Sequence, residues 1–371
     1  MNVHISHIRT WVALEPDDHE KPDDHEEAVA MVRATLESVA RHAAVSRQTV
    51  SNVLNAPHLV HPSTLARVQA AIDELNYRPH HAARTLKTRR SRLVGARIEP
   101  RRDGVAGAVL DRFLQSLTAR AQEVGHRILL FTATDDDHEC RLYDELLGDH
   151  DLDAFVLTGT HADDRRTAWL AERDVPFVTF GRPWGARSGA ADRHGWVDVD
   201  GAEGTRAATR HLLETGHRRI AFLGWPEGSE VGDDRRSGWA DLAAAAGLAV
   251  PPGYDAAVPD GVDTGRAAAA AMLDLPTPPT AIVCTSDSIG LGAWTEVTAR
   301  GLRPGADVAV IGFDDSATAA VVGLSSVAQP LDDAASACLR LLQGVVTAVE
   351  PPPGPPDPVL LTPRLVVRAS G

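Results

Sequence analysis

Between Leu36 and Asn55 apolar residues recur at three- and four-residue steps, first Leu36, Val39, Ala40 and Ala43 and then Val50, Val53 and Leu54. That spacing predicts two amphipathic helices. Ser46 offers an N-cap hydroxyl to the second of them, and a link of about four residues makes the pair cross sharply, as in a helix-turn-helix. Pro62 and Ser63 open a third helix with Leu65, Val68, Ala71, Ile72 and Leu75 as its stripe. Three short helices around one small core form a compact head.

Beyond residue 92 the pattern changes. Apolar runs such as RLVGARI, RILLFT, AFVLTG, PFVTF, RIAFLG, AIVCTS and VAVIGF alternate with helical stretches, beginning with Leu110, Phe113, Leu114 and Leu117. Apolar strands alternating with amphipathic helices predict parallel sheets covered on both faces, and the length suits two doubly wound lobes. Near the end PPPGPPDP reads as a stiff polyproline spacer before a last strand, RLVVR.

Between head and body lies HHAARTLKTRRSR, short and basic, with Pro79 placed to start a helix. It is too short and polar to be stable alone, so it is expected to order on a partner. At the other end, residues 1–33 hold the tract DDHEKPDDHEE, with little to bury, and are expected to be disordered.

Charge sharpens this division. The 371-residue chain carries a formal net charge of −14, yet residues 32–92 hold ten Lys or Arg against three acids. A basic module on an acidic body points to nucleic acid; the alternative is an ordinary solvated charged face. The three cysteines, Cys140, Cys284 and Cys338, show no paired spacing, so neither a disulfide framework nor a zinc cluster is expected. No export signal or membrane-length apolar run is recognisable, and the expected location is the cytoplasm, with no membrane partner. Dinucleotide, P-loop, nucleophile-elbow and H-E-x-x-H motifs are absent. The chain reads as no enzyme, with no cofactor and no metal.

In order and spacing, LESVARHAAVSRQTVSNVLN, AIDELNYRP, HHAARTLKTRRS, VDVDGAEG, HLLETGHRRIAFLG, DDRRSGW, TSDSIGLGA, GLRPGADVAVIGFDD and LSSVAQPL resemble the LacI/GalR (lac repressor) family of bacterial transcriptional regulators. The likeness covers residues 35 to about 368. It implies an α/β chain with a small all-α helix-turn-helix head and a two-lobed periplasmic-binding-protein-like body. The expected domains are an extension at 1–33, the head at 34–78, a hinge at 79–92 and an effector and dimerisation domain at 93–371. Within the last, lobe 1 takes about 93–197 and 328–345, and lobe 2 about 198–327 and 346–371.

A helix N-terminus in the major groove presents its first side chains to base edges, so Arg47 can donate twice to a guanine and Gln48 pair with an adenine. Asn52 follows one turn later; its alternative is a merely exposed polar residue. The resemblance puts all three at base-reading positions, while Ser46, Thr49 and Ser51 suit phosphate oxygens. One departure is Ala44, where the family usually has glycine; a positive φ there would cost Ala roughly 1 kcal/mol. In the hinge, Ala82, Ala83 and Leu86 share a face. By the resemblance Ala83 and Leu86 meet the minor groove and Leu86 wedges between base pairs, the alternative being a linker helix packed on the body.

For the effector the resemblance marks Arg235, Phe313, Asp314 and Gln329, the last on an interlobe crossover, and Ser286 and Asp287 lie where a strand ends and ligands gather. A turn cap for Asp314 and a structural ion pair for Arg235 are the alternatives. Asp260 stands where some members have a stacking aromatic, and Gly181 replaces an acid before Arg182. The expected function is a repressor that binds a pseudo-palindromic double-stranded DNA operator as a homodimer and answers to a small-molecule effector, with a sugar or glycoside as first guess. No leucine-heptad tail follows RLVVRASG, which favours a dimer over a tetramer. The competing reading is a sugar-binding receptor without a gene-regulatory role.

Overall fold

The computed structural model describes residues 34–77, 90–98, 108–185, 194–347 and 356–371. The chain divides into two units, residues 1–83 and 84–371.

In the first unit α1 (Leu36–His42), α2 (Arg47–Asn55) and α3 (Pro62–Glu74) surround Val39, Ala40, Val50, Val53, Val68 and Ile72. Thr35 and Ser38 cap α1 reciprocally, each side-chain oxygen taking the other's backbone N–H, which satisfies two of the four donors a helix start leaves open. The helix ends on Ala44 at φ 50°, with the Val45 N–H donating to the Ala40 carbonyl. This is the left-handed stop that glycine ordinarily supplies. The second helix starts where expected, the Ser46 hydroxyl accepting the Thr49 N–H at 3.0 Å.

The second unit holds two six-stranded sheets. The first comprises β1 (Leu93–Arg97), β2 (Arg127–Phe131), β3 (Ala154–Thr158), β4 (Phe177–Phe180) and β5 (Gly195–Val199), joined by β11 (Val359–Leu361). Its order is β11-β5-β4-β3-β1-β2, all parallel. One face packs on α4 (Ala108–Glu123) and α12 (Leu331–Thr347), burying Phe113, Leu117, Val197 and Cys338; the other packs on α5 (Asp136–His150) and α6 (Arg165–Glu172), burying Tyr143, Phe155 and Leu170.

The second sheet runs β12-β10-β9-β8-β6-β7. Its strands are β6 (Ile220–Gly224), β7 (Asp255–Ala257), β8 (Ala281–Cys284), β9 (Ala309–Phe313), β10 (Ser325–Ala328) and β12 (Arg364–Val366), only β12 being antiparallel. It is covered on one side by α7 (Gly201–Glu214) and α8 (Glu230–Ala245), on the other by α9 (Val262–Leu273), α10 (Asp287–Ala299) and α11 (Ala317–Val322). At Gly238 a Cβ would collide with the Ala202 carbonyl, so glycine is what lets α8 lie close on α7.

The expected division of the C-terminal segment is corrected here. Residues after 346 do not all join the second lobe: Val359–Leu361 pairs with β5, Leu360 opposite Asp198, and only β12 belongs to the second sheet. Without β11 the edge of β5 would present unpaired backbone groups. Among the described residues the chain therefore crosses between the lobes three times, at 199–201, 328–331 and 361–364.

Candidate functional site

On α2, Val50 and Val53 are buried while Ser46, Arg47 and Gln48 are exposed and Thr49, Ser51 and Asn52 half-buried. The Gln48 amide donates to Asn52 Oδ1 at 2.9 Å. This leaves Gln48 one amide hydrogen and its carbonyl, the pair an adenine edge requires. Ala83 and Leu86 lie outside the described residues.

Between the two lobes of the body lies a cavity of about 380 Å³, bordered by Arg235, Asp287, Phe313, Asp314 and Gln329. Ser286 touches it indirectly, through a 2.5 Å hydrogen bond to Asp260. Six polar contributors lie at or just beyond the C-terminal ends of strands: Thr160 after β3, Trp184 after β4, Asp198 on β5, Trp225 after β6, Asp260 after β7 and Asp314 after β9. Ligands of open α/β sheets collect at such ends.

Arg235 is almost wholly buried. Its guanidinium carbon stands 3.7 Å from the centre of the Phe313 ring and 5.3 Å from that of Trp225. Nη1 donates to the Thr285 carbonyl at 2.6 Å and lies 3.6 Å from Asp314 Oδ1, while Nε has no partner among the described residues. The ion pair foreseen as an alternative is thus present, and a donor remains over. Burial lowers the pKa of Arg235 and pushes the Asp314 carboxyl up to about 7, although Arg235 and the Gln329 amide, which donates at 2.8 Å, pull it down. Asp314 and Asp315 hold φ values of 109° and 50°, strain that surrounding contacts must over-determine. The Arg368–Asp315 pair at 2.6 Å is one such contact.

Asp287 has a different place. Its Oδ2 accepts the Ser316 N–H and its Oδ1 the Ser326 hydroxyl, both at 2.6 Å, so the carboxylate ties the start of α11 to β10. Burial raises its pKa against those two bonds. In the first lobe, Arg182 donates to Asp198 at 2.5 Å, lies 3.6 Å from Asp234 and stacks on Trp184. Gly181 has φ 124° and a Cβ there would strike the Thr160 hydroxyl, so this backbone leaves no room for an acid side chain; Arg182 pairs with Asp198.

Trp184, Trp225, Asp198, Thr160 and Glu230 escape the sequence reading. The available signal was their position, immediately after apolar strands or opening a helix. Asp136, His161 and Asp164 bring ligand atoms within 4.8 Å of one another. Both Asp164 oxygens accept from Arg166 and His161 pairs with Asp136, so the group is an ion-pair network.

Comparisons with known proteins agree with this geometry. A model of bacterial regulatory proteins of the lacI family matches residues 35–80, and one of a periplasmic binding protein-like domain matches residues 209–371. The HTH-type transcriptional regulator CelR of Thermobifida fusca is 35% identical, over 91% of this chain and 98% of its own length. Among solved structures, a complex of the transcriptional regulator CelR with cellobiose superposes with a TM-score of 0.67 at 33% identity, covering 91% of this chain and all of that one. A lac repressor dimer bound to operator and the anti-inducer ONPF superposes with 0.74 at 26% identity, over 91% and 99%. The likeness runs along nearly the whole chain, through the helical head and the two-lobed body, and the chain belongs to the lacI family of bacterial regulatory proteins and is a helix-turn-helix transcriptional regulator.

Proposed function

We propose that this regulator is a cytoplasmic repressor that grips a pseudo-palindromic operator as a homodimer and is controlled by a sugar or glycoside bound between its lobes. The observation that carries the reading is the cavity itself, where acceptor carboxylates and two tryptophan rings converge at the strand ends. Hydroxyl donors and the apolar faces of a sugar ring complement such a lining. The likeness to a cellobiose-bound regulator supports the same ligand class. Arg47, Gln48 and Asn52 read base edges; Ser46, Thr49 and Ser51 contact phosphates; Ala83 and Leu86 act in the minor groove. Arg235, Asp314 and Gln329 contact the effector, and Asp287 and Ser286 hold its surroundings. No step of this function is catalytic, and none uses a cofactor.

An effector acts only through different affinities for two states. The test is selection of bound duplexes from a random pool, followed by titration of the best duplex at two salt concentrations with and without cellobiose. A palindromic site with steep salt dependence and a cellobiose-dependent affinity is expected. Enrichment of no sequence, with or without sugar, would sink the reading.

A further inference from the structure

The charges around the cavity go further than a sugar in general. Among the described residues, Asp198, Glu230, Asp234, Asp260, Asp287 and Asp314 all border it, and Arg235 is the single bordering cation. That arginine is already engaged by Asp314 and the Thr285 carbonyl, and Arg182 nearby is engaged by Asp198 and Asp234.

Three of the helix starts at the cavity, the usual seats for a phosphate, are filled as well. α7 is capped by Asp200 with Glu203 in its first turn; α8 by Ser229 with Glu230 and Asp233; α10 by Ser286 with Asp287. Their first residues border the cavity, and these acids compensate the partial positive charge that would draw an anion.

Ionised carboxylates accept hydrogen bonds and donate none, so this lining favours a ligand rich in donors. Asp260 is the clearest receptor. Its Oδ1 is fixed by the Trp225 indole N–H at 3.1 Å and the Ser286 hydroxyl, and its other oxygen has no protein partner among the described residues. On the first lobe, the buried Trp184 Nε1 is likewise without an acceptor among the described residues.

We propose that the cavity selects uncharged glycosides and rejects their phosphate esters, with Asp260 accepting a ligand hydroxyl and the Trp184 N–H donating to a ligand oxygen. The inference rests on the sugar reading above and adds the charge of the ligand and the two residues that choose it.

The experiment is titration calorimetry on the full chain with cellobiose, maltose and trehalose, each beside its 6-phosphate, repeated on Asp260→Asn and Trp184→Phe after thermal melting confirms that both fold. At least one neutral sugar is expected to bind, with its phosphate at least a hundredfold weaker. Asp260→Asn keeps an acceptor toward Trp225 but turns the free oxygen into a donor, and should weaken the neutral sugar tenfold or more; Trp184→Phe keeps a ring and should cost several-fold. A phosphate that binds as well as its parent sugar overturns the inference and leaves the sugar reading standing. Unchanged affinity in both variants overturns the residue assignment. If none of the six compounds binds while operator binding is intact, the sugar reading itself falls.

Discussion

Glu230, the first residue of α8, accepts the backbone N–H of Ala162 at 2.7 Å, so a side chain of the second lobe holds a loop of the first across the mouth of the cavity. A hydrogen bond to a charged acceptor contributes about 1.5–3 kcal/mol when shielded from water, and less where the acceptor is half-exposed. Glu230→Ala is expected to weaken effector binding about tenfold or less while leaving operator binding without effector unchanged. Calorimetry and a gel-shift titration read the two halves separately.

Asp314 provides a pH dependence in two signs. Its folded pKa, about 7, lies above the ordinary carboxylate value, so the folded state binds more protons than the unfolded one between roughly pH 4 and 7. Its contribution to stability is therefore full below the unfolded pKa and is lost as pH rises through 7. A ligand hydroxyl donating to Asp314 favours the ionised form, so effector affinity should rise over the same range with release of a proton. Asp314→Asn should remove the Asp314 share of the melting slope and most of the proton release, measured by calorimetry in two buffers of different ionisation enthalpy.

Asp287 separates support from contact. Its two hydrogen bonds at 2.6 Å are buried, and truncation would leave the Ser316 N–H and the Ser326 hydroxyl without their acceptor. Asp287→Ala should cost about 2–4 kcal/mol of body stability, seen as a lower denaturant midpoint. A loss of effector affinity with no loss of stability would show that Asp287 serves the ligand instead.

Ala44 is a site for gain. At φ 50° its Cβ is strained, and glycine relieves that strain while adding freedom to the unfolded chain. Ala44→Gly should stabilise the head by up to about 1 kcal/mol, measured as protection of head amides in hydrogen exchange, with the body unaffected.

Much of this architecture was legible because it is written in period. Val50 and Val53 mark the inner face of α2, and strands such as Ala281–Cys284 are unbroken apolar runs. The strands that escaped lack that signature. Gly195–Val199 is interrupted by Asp198, Asp255–Ala257 is three residues of edge, Ser325–Ala328 buries serines that hydrogen-bond Asp287 and the chain terminus, and Val359–Leu361 follows a proline tract. In the cavity, Arg235 and Asp314 could be found from motifs around them. Trp184 and Trp225 had only their position after strands to mark them, and a lone tryptophan there is the same in sequence whether it packs inward or faces a ligand; only the meeting of two lobes decides. Asp287 was seen but its task was not, because Ser316 and Ser326, its partners, are distant in the chain.

The three crossings between the lobes lie side by side in the order of the sheets, leading from β5, from β10 and from β11. Two bodies joined by three short straps keep little more than one degree of freedom, a turn about the line of the straps. Gln329 sits on the second strap in chain order and donates to Asp314, so a ligand that engages Asp314 presses next to the pivot, where a small displacement becomes a large angle at the far ends of both lobes. Leverage of this kind is lost if a strap is lengthened, even by residues that touch neither ligand nor DNA.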